Sequence, residues 1–240
     1  MVHRMARIQA FTNATALAEA MASIVLSALK PPLAQRDCAS LVLSGGRTPL
    51  LFLSALAECE VHWRGVTVTL SDERWVDESD SRSNARLLRE HLFRGPAAAA
   101  RFVPLKNGAA TPHEGVAAAE AALADIEDPY DLVVLGMGED AHIASLFPGA
   151  AELQAGLDPS GRARCVGITP PPMVDPNVPR ISLTPSELCK GRRIVLVIAG
   201  AEKLRVLNRA LSATRFERTP VAALFESADK PIDVLWLENA

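Results

Sequence analysis

The 240-residue sequence lacks most of the marks of a specialised class. Its four cysteines, Cys38, Cys59, Cys165 and Cys189, stand far apart. None shares metal or redox spacing with another, so reduced thiols are expected. There is no H-E-x-x-H, no C-x-x-C and no G-x-S-x-G, so the usual signals of a zinc hydrolase and of a nucleophile-elbow serine hydrolase are missing. No apolar run of about 18 residues stands out, and no membrane-spanning helix is expected. Met1–Arg7 lead into a strand-like Ile8–Phe11 and not into a signal-peptide core. An excess of one charge is also absent. Lys and Arg number 25 against 28 Asp and Glu, a net −3, which leaves no footprint for nucleic acid or an acidic membrane. Any anionic ligand must then be held by local charges. No internal repeat occurs, and Ala97–Ala100 is the sole low-complexity patch.

What is present is ordinary in bulk and specific in detail. Apolar content of 49% and charged content of 22% suit a globular chain long enough for one large α/β domain, residues 1–240, with room for a small subdomain. Strand-like runs at 41–43, 66–70, 101–105, 132–135, 163–168, 181–184, 193–199 and 232–237 alternate with helical stretches. Asn13 caps a helix expected to stop at Lys30 before Pro31-Pro32. Pro49 opens an apolar helix through Leu56. Further helices are read at 84–93, 113–126, 185–190, from Gly200 onward, and at 220–225. Such alternation predicts a Rossmann-like, mostly parallel sheet with helices on both faces.

The stretch Asp131–Gly149 organises the rest. Leu132–Leu135 reads as a buried strand that breaks at Gly136 and Gly138, followed at once by Asp140 and His142. Pro148 and Gly149 are expected to stop a short helix after the turn. Gly136-x-Gly138-x-x-Ala141 fits a loose dinucleotide fingerprint, but Pro148 cuts off the long helix that fingerprint needs. Three other polar clusters, Ser44–Thr48, Ser71–Arg74 and Gly200–Lys203, also follow strand ends. In a parallel sheet these ends share one edge, where such folds bind ligands. The loop Ser44-Gly45-Gly46-Arg47-Thr48 entering a helix suits an anion, though it has no P-loop lysine. Arg74, Arg180 and Lys203 can add charge-assisted bonds. His142 is the natural proton-transfer group, and Asp140 can orient its ring. Two ligand types at motif spacing do not make a metal site; His3, His62, His91 and His113 belong to other segments. No metal or cofactor is expected.

Leu43–Pro49, Ser71–Val76 with Ser83-Asn84, Leu135–Gly149, Arg180–Thr184 and Gly200–Lys203 together resemble the 6-phosphogluconolactonase family, in that family's order and over nearly the whole chain. The resemblance implies a cytoplasmic, metal-independent hydrolase of the pentose phosphate pathway, with the fold shared by glucosamine-6-phosphate deaminase and ribose-5-phosphate isomerase. It implies that His142 activates water with support from Asp140. It further implies that Ser44, Gly45, Gly46, Arg47, Thr48, Asp72, Arg74, Gly138, Arg180 and Lys203 surround a small sugar-phosphate lactone. Nucleic acid and membrane are not implied as partners. The oligomeric state is left open and a monomer is compatible. Two positions depart from the family pattern: Arg47 replaces a usual Ser, and Ala141 a usual Gly. If the turn needs positive φ at 141, the loop must be shifted or strained.

Two alternatives stand beside this reading. An amino-sugar phosphate deaminase or isomerase would share the His142-Ile-Ala144 run and use Asp72 as carbon-acid base. Phe147, however, occupies the position of that group's assisting Glu and cannot exchange protons. A non-catalytic sugar-phosphate sensor is the third, against which stand the intact Asp140 and His142.

Overall fold

The computed structural model describes residues 6–158, 161–212 and 219–239. Seven strands form one sheet: β1 (Ala6–Phe11), β2 (Ala39–Leu43), β3 (Val66–Leu70), β5 (Arg101–Val103), β6 (Leu132–Gly136), β9 (Arg193–Ala199) and β10 (Ile232–Leu237). Three form a second: β4 (Asp72–Arg74), β7 (Cys165–Ile168) and β8 (Arg180–Leu183). The helices are α1 (Ala14–Arg36), α2 (Leu53–Ala57), α3 (Asn84–His91), α4 (Pro112–Ala124), α5 (Leu153–Gly156), α6 (Pro185–Leu188), α7 (Ala201–Ser212) and α8 (Pro220–Ser227).

The large sheet has the order β1-β10-β9-β6-β2-β3-β5, and each of its pairings is parallel. Its central strands are buried end to end, as Leu41–Leu43, Leu132–Leu135 and Ile194–Ile198 show. That is why they read in sequence as unbroken apolar runs and not as alternating ones. From β2 the chain winds outward through β3 to β5, then returns to β6 and winds the other way through β9 to β10. The direction reverses between β2 and β6, and the crevice outside their carboxyl ends is where doubly wound sheets take ligands. The small sheet, ordered β4-β8-β7, is antiparallel throughout. It begins one residue after β3 ends and lies over the same edge. Ser71–Arg74, read from sequence as a loop, is thus mostly strand.

Three expectations fail locally. Helix α1 does not stop at Lys30; it runs through Pro31 and Pro32 to Arg36, capped by Asn13 and ended by Asp37 at φ 56°. A helix-interior proline costs about 3 kcal/mol, but burying Leu33 returns about 1.5–3 kcal/mol, and the last turn also carries Arg36 onto Asp131 at 2.7 Å. At 23 residues, with an 18-residue stretch of mean hydropathy 1.3, α1 is long and apolar enough to cross a bilayer, contrary to expectation. Here its face at Leu17, Met21, Ile24, Val25, Leu29 and Leu33 is buried in the core. Second, the helix after Pro49 is split into a 3₁₀ turn, Pro49–Leu51, and α2. Third, no helix follows the His142 turn. Positive φ at Ala141 and Ala144 prevents one, and Ile143, Leu146 and Phe147 tuck into the core through turns and a single bridge.

Candidate functional site

A cavity of about 610 Å³ opens at the carboxyl edge of the large sheet. The turn after β6 forms one wall. Gly138 N–H donates to His142 O at 2.9 Å and Ala141 N–H to Gly138 O at 3.2 Å, which folds the segment back over itself. A methyl group on Gly138 would sit 2.2 Å from the His142 ring, so glycine is required for the imidazole to lie where it does. Ala141 adopts φ 65°. The turn is therefore strained: the left-handed conformation costs a residue with a Cβ about 1–2 kcal/mol. Tertiary bonds hold it, among them Val221 N–H to Ala141 O at 3.1 Å.

Within this turn His142 Nδ1 lies 2.6 Å from Asp140 Oδ1. Partial loss of water works to raise the Asp140 carboxyl, but the His142 hydrogen bond and charge outweigh it and leave the group below its ordinary value. An ionised carboxylate only accepts, so Nδ1 carries the proton and Nε2 is left as the basic nitrogen. The imidazole also meets Phe147, with ring centroids 4.5 Å apart. Arg180 lies over the same phenyl ring, its Cζ 5.0 Å from the centroid.

The glycine loop after β2 forms the adjoining wall. Ser44 is buried, and its Oγ has no hydrogen-bond partner among the described residues. Gly45 packs against Asn84, whose Oδ1 would lie 1.9 Å from a Cβ at that position. Asn84 in turn receives Arg74 Nη1 at 2.7 Å and donates to Asp72 O at 2.9 Å. Glu73 sits beneath, accepting the N–H groups of Arg74, Asn84 and Ala85 at 2.7, 2.8 and 2.7 Å. It caps α3 from inside, and burial pushes its carboxyl up despite those bonds. Asp72 is held as an acceptor by Ser71 Oγ at 2.9 Å and Ser145 Oγ at 2.6 Å. On the opposite flank burial lowers the Lys203 ammonium; nearby Glu139 raises it and Arg47 lowers it further.

The cavity brings together Ser44, Gly45, Gly46, Arg47, Thr48, Asp72, Arg74, Gly138, Asp140, His142, Arg180 and Lys203, each a candidate from the sequence. It adds residues that sequence reasoning passed over as site members. Asn84 and Phe147 stood inside the quoted motif blocks, so position alone could have suggested them. Met173, Val174 and Asp175 come from the Pro-rich stretch Thr169–Pro179 between β7 and β8, where no local pattern pointed to the cavity. Of the histidines set aside, His113 pairs with Glu152 at 2.9 Å, and His3 lies outside the described residues. Among the described residues no cluster of three or more His, Cys, Asp or Glu could hold a metal.

Fold and cavity define a doubly wound α/β protein with a cation-lined cleft at its switch point and a His–Asp pair on the cleft wall. The chain belongs to the glucosamine-6-phosphate isomerase/6-phosphogluconolactonase family, whose model matches residues 12–236. It is 41% identical over 231 residues to a 6-phosphogluconolactonase of Pseudomonas aeruginosa, covering 95% of this chain and 94% of that one. It is 39% identical over 231 residues to a 6-phosphogluconolactonase of Rhizobium meliloti, covering 96% and 98%. A crystal structure of a 6-phosphogluconolactonase from Shewanella baltica superposes with a TM-score of 0.90 at 38% identity, over 95% of this chain and 96% of that one.

Proposed function

We infer that this chain hydrolyses 6-phospho-D-glucono-1,5-lactone to 6-phospho-D-gluconate in the oxidative pentose phosphate pathway. The observation that carries the reading is the His142–Asp140 pair, 2.6 Å apart, on the wall of a cavity ringed by a glycine loop and four cations. Asp140 holds the Nδ1–H tautomer, so Nε2 takes the proton of a water as its oxygen adds to the lactone carbonyl. The carbonyl electron pair moves onto its oxygen. When the tetrahedral intermediate collapses, the C1–ring-oxygen bond breaks, the ring oxygen takes the proton back from the imidazolium, and the new acid releases its own proton to solvent. The cations hold the substrate's anionic groups, so that remote binding places C1 beside His142.

The same geometry argues against an amino-sugar deaminase. Asp72 spends both oxygens on serine hydroxyls, and the ring beside His142 is the apolar Phe147. We read residues 1–240 as one domain that acts in the cytoplasm without metal or cofactor, and without nucleic acid or membrane as partner. A cavity lined by one chain is compatible with a monomer. The test is turnover of freshly generated 6-phosphogluconolactone, corrected for spontaneous hydrolysis, beside ammonia release from glucosamine 6-phosphate. Lactone turnover without ammonia is expected; ammonia without lactone turnover would reverse the assignment.

A further inference from the structure

Arg74 and Arg180 face each other as register partners on β4 and β8. Like charges directly opposite on an antiparallel pair repel. The acceptors these guanidiniums reach are neutral: Arg82 O and Asn84 Oδ1 for Arg74, Pro176 O for Arg180. The Nε atoms of both are buried and unpartnered among the described residues. Arg180 is only 4% exposed, and burial lowers it to about 10. Asp72 and Glu73 favour its charge from a distance, but burial outweighs them, and the acceptor it reaches is a carbonyl. A cation held so deep without a hydrogen-bonded carboxylate is costly. A fold can bear that cost where a ligand brings the negative charge.

The position of the pair says which charge. A phospholactone is anionic at its phosphate throughout, but anionic at its carbonyl oxygen only while water adds. The cavity has two groups of cations, and they lie differently toward the base. Lys203 lies within the fields of Glu139 and Arg47, whereas His142 and Arg180 both lie against the Phe147 ring, at 4.5 and 5.0 Å from its centroid. The geometry points to Arg180, backed by Arg74, as the catalytic cation that receives the charge developing on the lactone carbonyl oxygen. Phe147 is then the positioning residue that spaces it from His142, and the phosphate falls to the glycine loop, Arg47 and Lys203. This assignment rests on the lactonase reading.

The experiment compares wild type, Arg180→Met and Lys203→Met on 6-phosphogluconolactone and on unphosphorylated glucono-1,5-lactone, with spontaneous hydrolysis subtracted. Arg180→Met should lose about 10²–10³-fold in kcat on both lactones, the usual weight of one oxyanion-stabilising group. Its thermal midpoint should hold or rise, because a buried charge whose desolvation outweighs its distant carboxylates is gone. Lys203→Met should raise KM at least about tenfold for the phosphorylated lactone and have a much smaller effect on the plain lactone. Arg180→Lys keeps the charge without the planar fork and should lose less than Met; it serves as the reading if Met disturbs folding. Phe147→Leu should lower kcat on both lactones at unchanged KM. An Arg180→Met loss confined to the phosphorylated lactone, or kcat within about threefold of wild type on both, overturns the assignment. So does Arg180→Lys falling as far as Met, or a Phe147→Leu effect seen only in KM. A wild type inactive on both lactones defeats the lactonase reading and this inference with it. An active wild type with an unimpaired Arg180→Met defeats the inference alone.

Discussion

The two ends of the parallel sheet treat arginine in opposite ways. At the amino end Arg36, Arg192 and Arg193 line a groove of about 360 Å³ with Asp131. Each has a carboxylate of its own chain: Arg36 binds both oxygens of Asp131 at 2.7 Å, Arg192 reaches it at 3.5 Å, and Arg193 meets Asp233 at 2.8 Å. Burial works against the Arg36 charge, but Asp131 more than offsets it and raises the group. At the carboxyl end Arg74 and Arg180 hydrogen-bond only to carbonyls and an amide, and burial lowers Arg180 despite the more distant Asp72 and Glu73. A groove with arginines is thus not evidence of an anion site. Arginines whose charge the chain has neutralised hold the architecture together; those whose charge it leaves open are available to a ligand.

The comparison makes an asymmetric forecast: variants at the carboxyl end should cost activity, variants at the amino end stability. The largest effect is expected from His142→Ala, with kcat down by about 10²–10⁴ and KM little changed. Steady-state kinetics on a variant whose circular dichroism and melting match wild type would check it, and near-normal kcat would remove His142 as the base. Asp131→Ala should do the reverse. Its side chain is 2% exposed and also accepts Ser40 N–H at 2.9 Å. Removing it should cost about 3 kcal/mol of folding stability with kcat intact. A denaturation midpoint unmoved at constant slope would break the contrast between the ends. The smallest effect is Ala141→Gly. Relief of about 1–2 kcal/mol of left-handed strain is opposed by about 0.4–1 kcal/mol of added chain entropy and about 0.8 kcal/mol of lost methyl burial. Stability should stay within about 1 kcal/mol of wild type and kcat within about threefold. A larger activity change would mean that this alanine tunes where His142 stands.

Legibility followed the same division. The strands at 193–199 and 232–237 were readable to the residue, because a strand buried on both faces has to be an apolar run between polar stops. The run through Pro31-Pro32 was not, because its gain lies in Leu33 and Asp131, the latter far along the chain. Ser71–Arg74 was readable as a polar cluster after a strand. That it is itself a strand depends on β8, over a hundred residues later.

By itself the sequence determined the parallel α/β order, the edge on which the polar loops gather, and the residue types that gather there. Those follow from local pattern: apolar runs, glycine breaks and the rule that strand ends of a parallel sheet share one edge. Only the tertiary structure decided that Arg74 lies opposite Arg180, that Phe147 meets both Arg180 and His142, and that Asp72 is tied up by Ser71 and Ser145. It also decided that Ala141 bears a positive φ. The reason is physical. Whether a charge is neutralised, or a strained dihedral tolerated, depends on atoms brought near from distant segments, and neither is written in the residues on either side.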